Sequence, residues 1–264
     1  MRAEDRVSAW ADDLVLALDP CEIARRNHVA LDPWQVELVS SRARRVYCLA
    51  PRQRGKSTAS VIPVMHAVMF RRGTQALVVS KSLAQSHEWM GRFKAMFEPF
   101  RDRWPARGET AGSITFQSGS RVLSVPKGDS ARGYSPDILV LDEAAFIPDD
   151  DIASVLPALA ATRGRLLVLT TPGRRKAGWA YHAWTEGDGW HRVHVRIGTS
   201  PRFDVSEEER PRKELGEARW RREHCGEWYE AEDASNPALL GSDAVDALFA
   251  SALETAGAPQ ARSL

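Results

Sequence analysis

The chain has 264 residues and a net charge of +1, with 36 Lys and Arg against 35 Asp and Glu. Apolar residues are 43% and charged residues 27%, the balance of a soluble globular protein and not of a disordered tail. No apolar run is long enough to span a bilayer, the first residues carry acids and no apolar h-region, and the three cysteines lack CxxC spacing, so no membrane span, signal peptide, disulfide framework or zinc site is expected. The cysteines read instead as buried small hydrophobes.

In chain order, residues 1–30 read as an N-terminal helical segment and residues 31–200 as a core. Residues 201–235 read as a closing helical segment and 236–264 as a tail. Within the core, Arg45–Ala50 (RVYCLA) is a short strand. Ser57–Phe70 is helical, with Pro63 expected to kink it or displace a turn. Gln75–Ser80 (QALVVS) is a second buried strand. Ser82 then caps a helix to about Phe97, with Leu83, Met90, Phe93 and Phe97 on one face. Ile114–Phe116 and Arg121–Val125 flank Gln117-Ser118-Gly119-Ser120, a hairpin signal.

Asp137–Leu141 (DILVL) and Leu166–Thr170 (LLVLT) are further buried strands. A helix over Asp151–Ala161, containing Pro157, lies between them, and His191–Ile197 is a fifth strand. Continuous apolar runs mark strands covered on both faces, as in a parallel sheet. Strands separated by helices give right-handed crossovers, so the predicted fold is α/β with a mostly parallel central sheet flanked by helices. Glu207–Trp228 reads as a polar surface helix with Leu215, Trp220 and Cys225 as its apolar points. Asp243–Leu253 is one more helix, and the last ten or so residues are expected to be disordered.

Charge is unevenly distributed. From Leu38 to His87 there is no Asp or Glu but there are nine Lys or Arg residues. That segment suits phosphates; it equally suits a solvated basic face balanced by acids such as Asp149–Asp151 or Glu207–Glu209. Inside it, a strand ends at Ala50, Pro51-Arg52-Gln53-Arg54-Gly55 turns, and Lys56-Ser57-Thr58 opens a helix. A phosphate loop needs that context: backbone N–H groups facing one concavity, a helix start, and a lysine that reaches the terminal phosphates. Ser57 would place its hydroxyl on Mg²⁺. The match to GxxxxGK[ST] is incomplete, because Ala50 stands at the first glycine. A basic helix start without a ligand would crowd Arg52, Arg54 and Lys56 at the positive end of a helix dipole, a conflict that an anion relieves.

"DILVLDEAAF" supplies an acidic partner. Ile138–Leu141 run into Asp142 and Glu143, a costly pair at a buried strand end unless it faces something charged. Asp142 would hold Mg²⁺ through water, and Glu143 would take a proton from an attacking water. "LLVLTTP" places Thr170 or Thr171 where a terminal phosphate could be sensed. Gln35, in Leu31-Asp32-Pro33-Trp34-Gln35, has an amide that can pair with both edges of adenine, and Trp34 fits either beside it or in the core.

The order PWQ, RQRGKS, apolar run with DE, then TTP resembles the ATPase domain of the large terminase subunit, the motor that packages DNA into tailed-phage and herpesvirus capsids. That family tolerates a glycine-poor phosphate loop carrying arginine and glutamine. The resemblance implies a P-loop NTPase of the additional-strand type that binds ATP and Mg²⁺. It implies nucleotide contacts from Gln35, Arg52, Gln53, Arg54, Gly55, Lys56, Ser57, Thr58, Thr170 and Thr171. Lys56, Glu143 and Arg52 or Arg54 would be catalytic, with Ser57 and Asp142 toward the metal.

Arg132, in "SARGYSPDILVLDE", resembles an arginine finger. "WRREHCGEW" (Trp220–Trp228) resembles the segment that closes the domain, and the resemblance runs from about Leu31 to Trp228. By the same resemblance the partners are duplex DNA held by its backbone, a portal, a small terminase subunit and further copies in a ring, in the cytoplasm of a bacterial host. Arg174, Arg175 and Lys176 are candidate DNA contacts. About 36 residues follow Trp228, so an RNase H-like nuclease is not expected in this chain. A helicase-like ATPase and a non-catalytic remnant are the rival readings.

Overall fold

Three helices precede the first strand of the computed structural model, which describes residues 3–128, 131–201, 206 and 210–229. They are α1 (Ala3–Leu18), α2 (Cys21–Arg26) and α3 (Pro33–Ser40). The last begins with Pro33 at its first turn and a capping box in which Gln35 reaches back to the backbone N–H of Asp32. Then come β1 (Arg45–Leu49), α4 (Lys56–Phe70), β2 (Gln75–Ser80) and α5 (Leu83–Phe97). After these lie β3 (Ala106–Thr110), β4 (Ser113–Phe116), β5 (Arg121–Pro126) and β6 (Ile138–Asp142). The remaining elements are α6 (Asp149–Thr162), β7 (Arg165–Thr170), α7 (Trp179–Thr185), β8 (His191–His194), α8 (Arg212–Leu215) and α9 (Glu217–Glu223).

Eight strands form one sheet in the order β3-β4-β5-β2-β6-β7-β1-β8. From β5 to β8 every neighbouring pair is parallel; β4 pairs antiparallel with both β3 and β5. Strand β7 lies between β1 and β6, which is the extra strand of the additional-strand P-loop fold. Side chains alternate across the sheet and fill two cores. Val46, Cys48, Val78, Val140 and Leu169 pack with α1 to α5 on one face. Tyr47, Leu49, Leu77, Leu139 and Val168 pack with α6 and α7 on the other. Both faces are therefore covered, which is why these strands read as continuous apolar runs.

Several expectations need correction. The helix expected from Ser57 begins one residue earlier, at Lys56, and runs through Pro63 to Phe70. The surroundings of Pro63 are buried residues such as Val61, Ile62, Val64 and Met65, and that packing outweighs the roughly 3 kcal/mol that an interior proline costs. Leu83 is exposed, and the inward face of α5 is Ser86, Trp89, Met90, Phe93 and Phe97. The fifth strand stops at His194, where Thr199 Oγ1 donates to the Arg196 carbonyl and turns the chain. Among the described residues the polar surface helix is two helices, α8 and α9, separated at Gly216 with φ +74°. Within it Trp220 and Cys225 are buried, but Leu215 only partly. The strand β3 and helix α7 had no counterpart in the sequence pattern. All three cysteines are buried, as expected. The helix at Asp243–Leu253 and the tail lie outside the described residues.

Candidate active site

Because β1, β6 and β7 are parallel and adjacent, their C-terminal ends lie side by side. The turn after β1, the acids ending β6 and the two threonines ending β7 meet there. Ala50 N–H donates to the Thr170 carbonyl at 3.0 Å, which ties the first residue of the turn to the neighbouring strand. Positive φ falls on Gln53 (+59°) and Gly55 (+82°), not on Ala50. This loop therefore does not need a glycine at position 50, and the departure from the usual spacing is harmless. Alternating right- and left-handed backbone in such a turn aims N–H groups into one concavity.

Lys56 begins α4 and is 4% exposed. Its Nζ donates to Thr171 Oγ1 at 2.9 Å and to the Ala50 and Pro51 carbonyls at 3.1 and 2.8 Å. Glu143 Oε1 stands 3.5 Å from the same ammonium. The other oxygen of Glu143 accepts from Thr171 N–H at 3.1 Å. Ser57 Oγ donates to Asp142 and lies 3.2 Å from both of its carboxylate oxygens. Thr170 Oγ1 accepts from Ala145 N–H at 3.0 Å and donates to the Thr171 carbonyl at 2.8 Å. Lys56, Glu143 and both threonines thus form one connected network, and the Ser57–Asp142 pair stands beside it, coupled to it through the charges of Glu143 and Lys56.

Two features mark this network as strained and electrostatically loaded. Glu143 sits at φ +59°, a left-handed conformation that costs a non-glycine residue about 1–3 kcal/mol unless its surroundings hold it. Asp142 is buried, and that burial, with Glu143 beside it, pushes its carboxyl up to about 7. Lys56, the Ser57 hydroxyl and Arg92 pull the other way. A buried carboxyl that is only partly ionised at neutral pH is one that a divalent cation would ionise fully.

Residues 47–238 match the family model described as terminase large subunit, T4likevirus-type, N-terminal. The chain belongs to the terminase large subunit family. It is 26% identical over 179 residues to the terminase large subunit of Thermus virus P23-45, a match covering 59% of this chain and 36% of that relative. The ATPase domain of the Thermus phage P74-26 large terminase superposes with TM-score 0.66 at 20% identity, over 79% of this chain and 97% of that one. The large terminase of another thermophilic bacteriophage, in complex with ADP, gives 0.62 at 14% identity, over 75% and 54% of the two chains. The fold is that of the terminase ATPase domain, an additional-strand P-loop NTPase.

The remaining residues singled out in the terminase sequence divide into two groups. Arg54 is buried at 4% exposure, close enough to His224 for its charge to lower that imidazole's pKa, after burial as the larger cause. Arg52 points outward; its backbone N–H donates to the Glu223 carbonyl and its Nε lies 4.0 Å from the Glu223 carboxylate. Of the two loop arginines, Arg54 is the inward one. Gln35 is buried, its Oε1 held by Asp32 N–H and its Nε2 directed at the Arg54 and Gly55 carbonyls at 3.5 and 3.4 Å. Its amide thus braces the loop backbone, and Trp34 belongs to the core. Thr58 Oγ1 accepts from Arg92 at 3.0 Å. Arg132 is exposed on the segment between β5 and β6, and Arg174, Arg175 and Lys176 are exposed just past β7.

One contributor had no local signal, and another, marked in the sequence as a closing segment, makes contacts that only the structure shows. Arg92, on α5, reaches the start of α4 and acts on Asp142 through its charge. The segment after α9 closes over the loop: a Cβ on Gly226 would stand 2.8 Å from the Val195 carbonyl and 3.1 Å from Pro51 Cδ. Trp228 packs against Gly173, which Ala145 also approaches, so this strap touches the turn after β1 and the turn after β7. Among the described residues no helix is long and apolar enough to cross a membrane.

Proposed function

We propose that this chain is the ATP-hydrolysing part of a DNA-packaging motor. The observation that carries the reading is the convergence of Lys56, Thr171, Asp142, Ser57 and Glu143 at one end of the sheet. Lys56 and the loop N–H groups would bind the β- and γ-phosphates, with Arg54 facing them from inside the loop. Glu143 would orient the attacking water and accept its proton; Thr171, which holds both Lys56 and Glu143, would register whether the γ-phosphate is present. Thr170 braces the loop that carries the acid.

The residues fit Mg²⁺. No group of three or more His, Cys, Asp or Glu side chains able to hold a metal exists among the described residues. Mg²⁺ does not need one, since it is commonly held by one or two carboxylates together with substrate phosphates and water. Asp142 and the Ser57 hydroxyl are the hard oxygen donors here, and the ion would supply charge neutralisation at the phosphates.

Nucleotide binding by that second phage terminase, crystallised with ADP and with ATP-γ-S, supports the reading. Arg132, exposed and flanked by Gly133 at φ +83°, would act as the finger toward its own or a neighbouring subunit's nucleotide, worth about 10³-fold in rate. Gln35 would read adenine only after exchanging its present backbone partners. Duplex DNA held by its backbone, a portal, a small terminase subunit and a ring of copies complete the proposal, acting in the host cytoplasm.

The test is ATP hydrolysis by the purified chain with Mg²⁺, with and without linear duplex. Lys56→Ala and Glu143→Gln are each expected to abolish turnover, and Glu143→Gln to keep nucleotide binding. Wild-type turnover at background would overturn the reading.

A further inference from the structure

In a parallel sheet the strand starts share the edge opposite the strand ends. The starts of β1, β2 and β7 therefore lie together, away from the nucleotide end. Arg42 and Arg44 precede β1 and Arg45 opens it; Arg71 and Arg72 precede β2; Arg165 opens β7. The first five are exposed and Arg165 is half-buried. Among the described residues none of the six forms an ion pair with an acid, whereas Arg25, Arg26, Arg92, Arg101 and Arg221 all do.

The middle of this edge is a concavity. A cavity of about 430 Å³ is lined by Arg42, Arg71, Arg165 and His66. The Arg165 guanidinium is fixed by the Ser41 and Ala43 carbonyls at 2.6 and 3.1 Å, so it cannot swing away from Arg71. Burial and then the Arg71 charge lower the Arg165 pKa; burial first, with both arginines contributing, lowers that of His66. The cations thus face one another. Of the acids around them, Asp19 is taken by Arg25 at 2.8 Å, Glu37 by His191 at 2.9 Å, and Asp137 by the Gln75 N–H at 2.8 Å. Asp188, in the turn before β8, is an exposed acid on the same edge of the sheet. The α4 C-terminus, ending at Phe70, offsets part of the charge beside it.

From β2 to β1 the edge spans three strand spacings, about 14 Å. Duplex DNA presents about eight phosphate charges over that length. We propose that this arginine edge is a docking surface for the sugar–phosphate backbone of duplex DNA. It rests on the packaging reading for the identity of the polyanion; the demand for one comes from the geometry. Guanidinium groups bind phosphate oxygens in pairs and read no sequence, so contact here positions the duplex.

The test measures affinity of the full chain for a duplex of about 30 base pairs from about 50 to 200 mM salt. Arg42→Gln/Arg44→Gln/Arg72→Gln alters exposed side chains only; Arg174→Gln/Arg175→Gln/Lys176→Gln is the comparison. Losing three phosphate contacts should flatten the slope of log K against log salt by about 2.7 and leave DNA-free ATP hydrolysis unchanged. A slope equal to wild type in the edge variant overturns the proposal, as does a slope that only the comparison variant flattens. A wild-type chain that binds no duplex at low salt also overturns it. Absence of DNA-free hydrolysis in the wild type would count against the motor reading alone, because the binding slopes are read without turnover.

Discussion

Thr170 and Thr171 are adjacent and chemically identical, yet the structure gives them different work. Thr170 is fully buried and satisfies the Ala145 N–H, so Thr170→Val leaves a buried donor unpaired. That change should cost about 1–3 kcal/mol in denaturant unfolding and misplace the acid loop. Thr171 spends its hydroxyl on Lys56, so Thr171→Val should lower kcat with a smaller stability loss. Equal effects of the two on stability and kcat would contradict this division. Asp142 carries a pH signature. Its folded pKa of about 7 exceeds the ordinary 3.8, so the folded state bears the cost of ionising it. That cost is absent below about pH 4, grows between the two values and is complete above about 7. With chelator present, Asp142→Asn should therefore stabilise the chain at pH 8 by a few kcal/mol, on the order of 2–4, and by nothing at pH 4. Denaturant midpoints at the two pH values check it. Lys56, Asp142 and Glu143 were legible in the sequence because each stands at a strand end with a distinctive neighbour. Arg92 was not, because a helix arginine four residues after a glutamate reads as a surface pair, and it is one: Glu88 accepts from it at 2.5 Å.

At the scale of elements, the strap at Cys225–Trp228 shows what local pattern cannot give. The sequence marks WRREHCGEW as a closing segment, but its contacts are to residues far away in the chain. Gly226 holds φ +66° with the Val195 carbonyl and Pro51 pressed against it. Gly226→Ala combines left-handed strain with a backbone clash, so a loss of about 1–3 kcal/mol and weaker nucleotide affinity are expected by thermal unfolding and titration calorimetry. The strap is also fastened by His194, whose Nε2 lies 3.0 Å from the Gly226 carbonyl while Nδ1 accepts from Arg196 Nε at 3.2 Å. That pairing requires the neutral ring. Burial, with Arg196 opposing the charge, holds its pKa below the usual 6.5. Stability from this contact is full above about pH 6.5 and falls as acid protonates the unfolded chain first. Proteolysis of the strap should rise between pH 7 and 5, and His194→Gln should flatten that rise. The helix carrying Lys56 was readable through Pro63, because an interior proline breaks a helix only where packing is too weak to hold it.

Across the whole molecule, the parallel sheet separates two chemistries. Strand ends gather the network of Lys56, Asp142 and Glu143; strand starts gather arginines that no acid pairs. Helix α4 runs between them, with Lys56 at one end and Phe70 at the other, about 21 Å apart. The strand order that creates this division was legible through the resemblance to an additional-strand fold and not through the apolar runs themselves. Apolar runs predict parallel strands, but only long-range packing decides that β7 falls between β1 and β6. The antiparallel corner is different again. Strand β3 is largely exposed and joins the sheet only through β4. Ligand binding at the strand ends stabilises what it touches: at a hundredfold excess over Kd it adds about 2.7 kcal/mol. For a chain of this size that is roughly 5–11 °C in Tm. Mg–ADP should produce such a shift, and Lys56→Ala should remove it. Hydrogen exchange should locate the effect, with amides of α4 and the ends of β6 and β7 slowing and those of β3 unchanged, because local opening at an exposed edge does not pass through the network of Lys56, Asp142 and Glu143. Equal protection of β3 and α4 would mean that the sheet opens as one unit, and the division between its ends would then have no energetic basis.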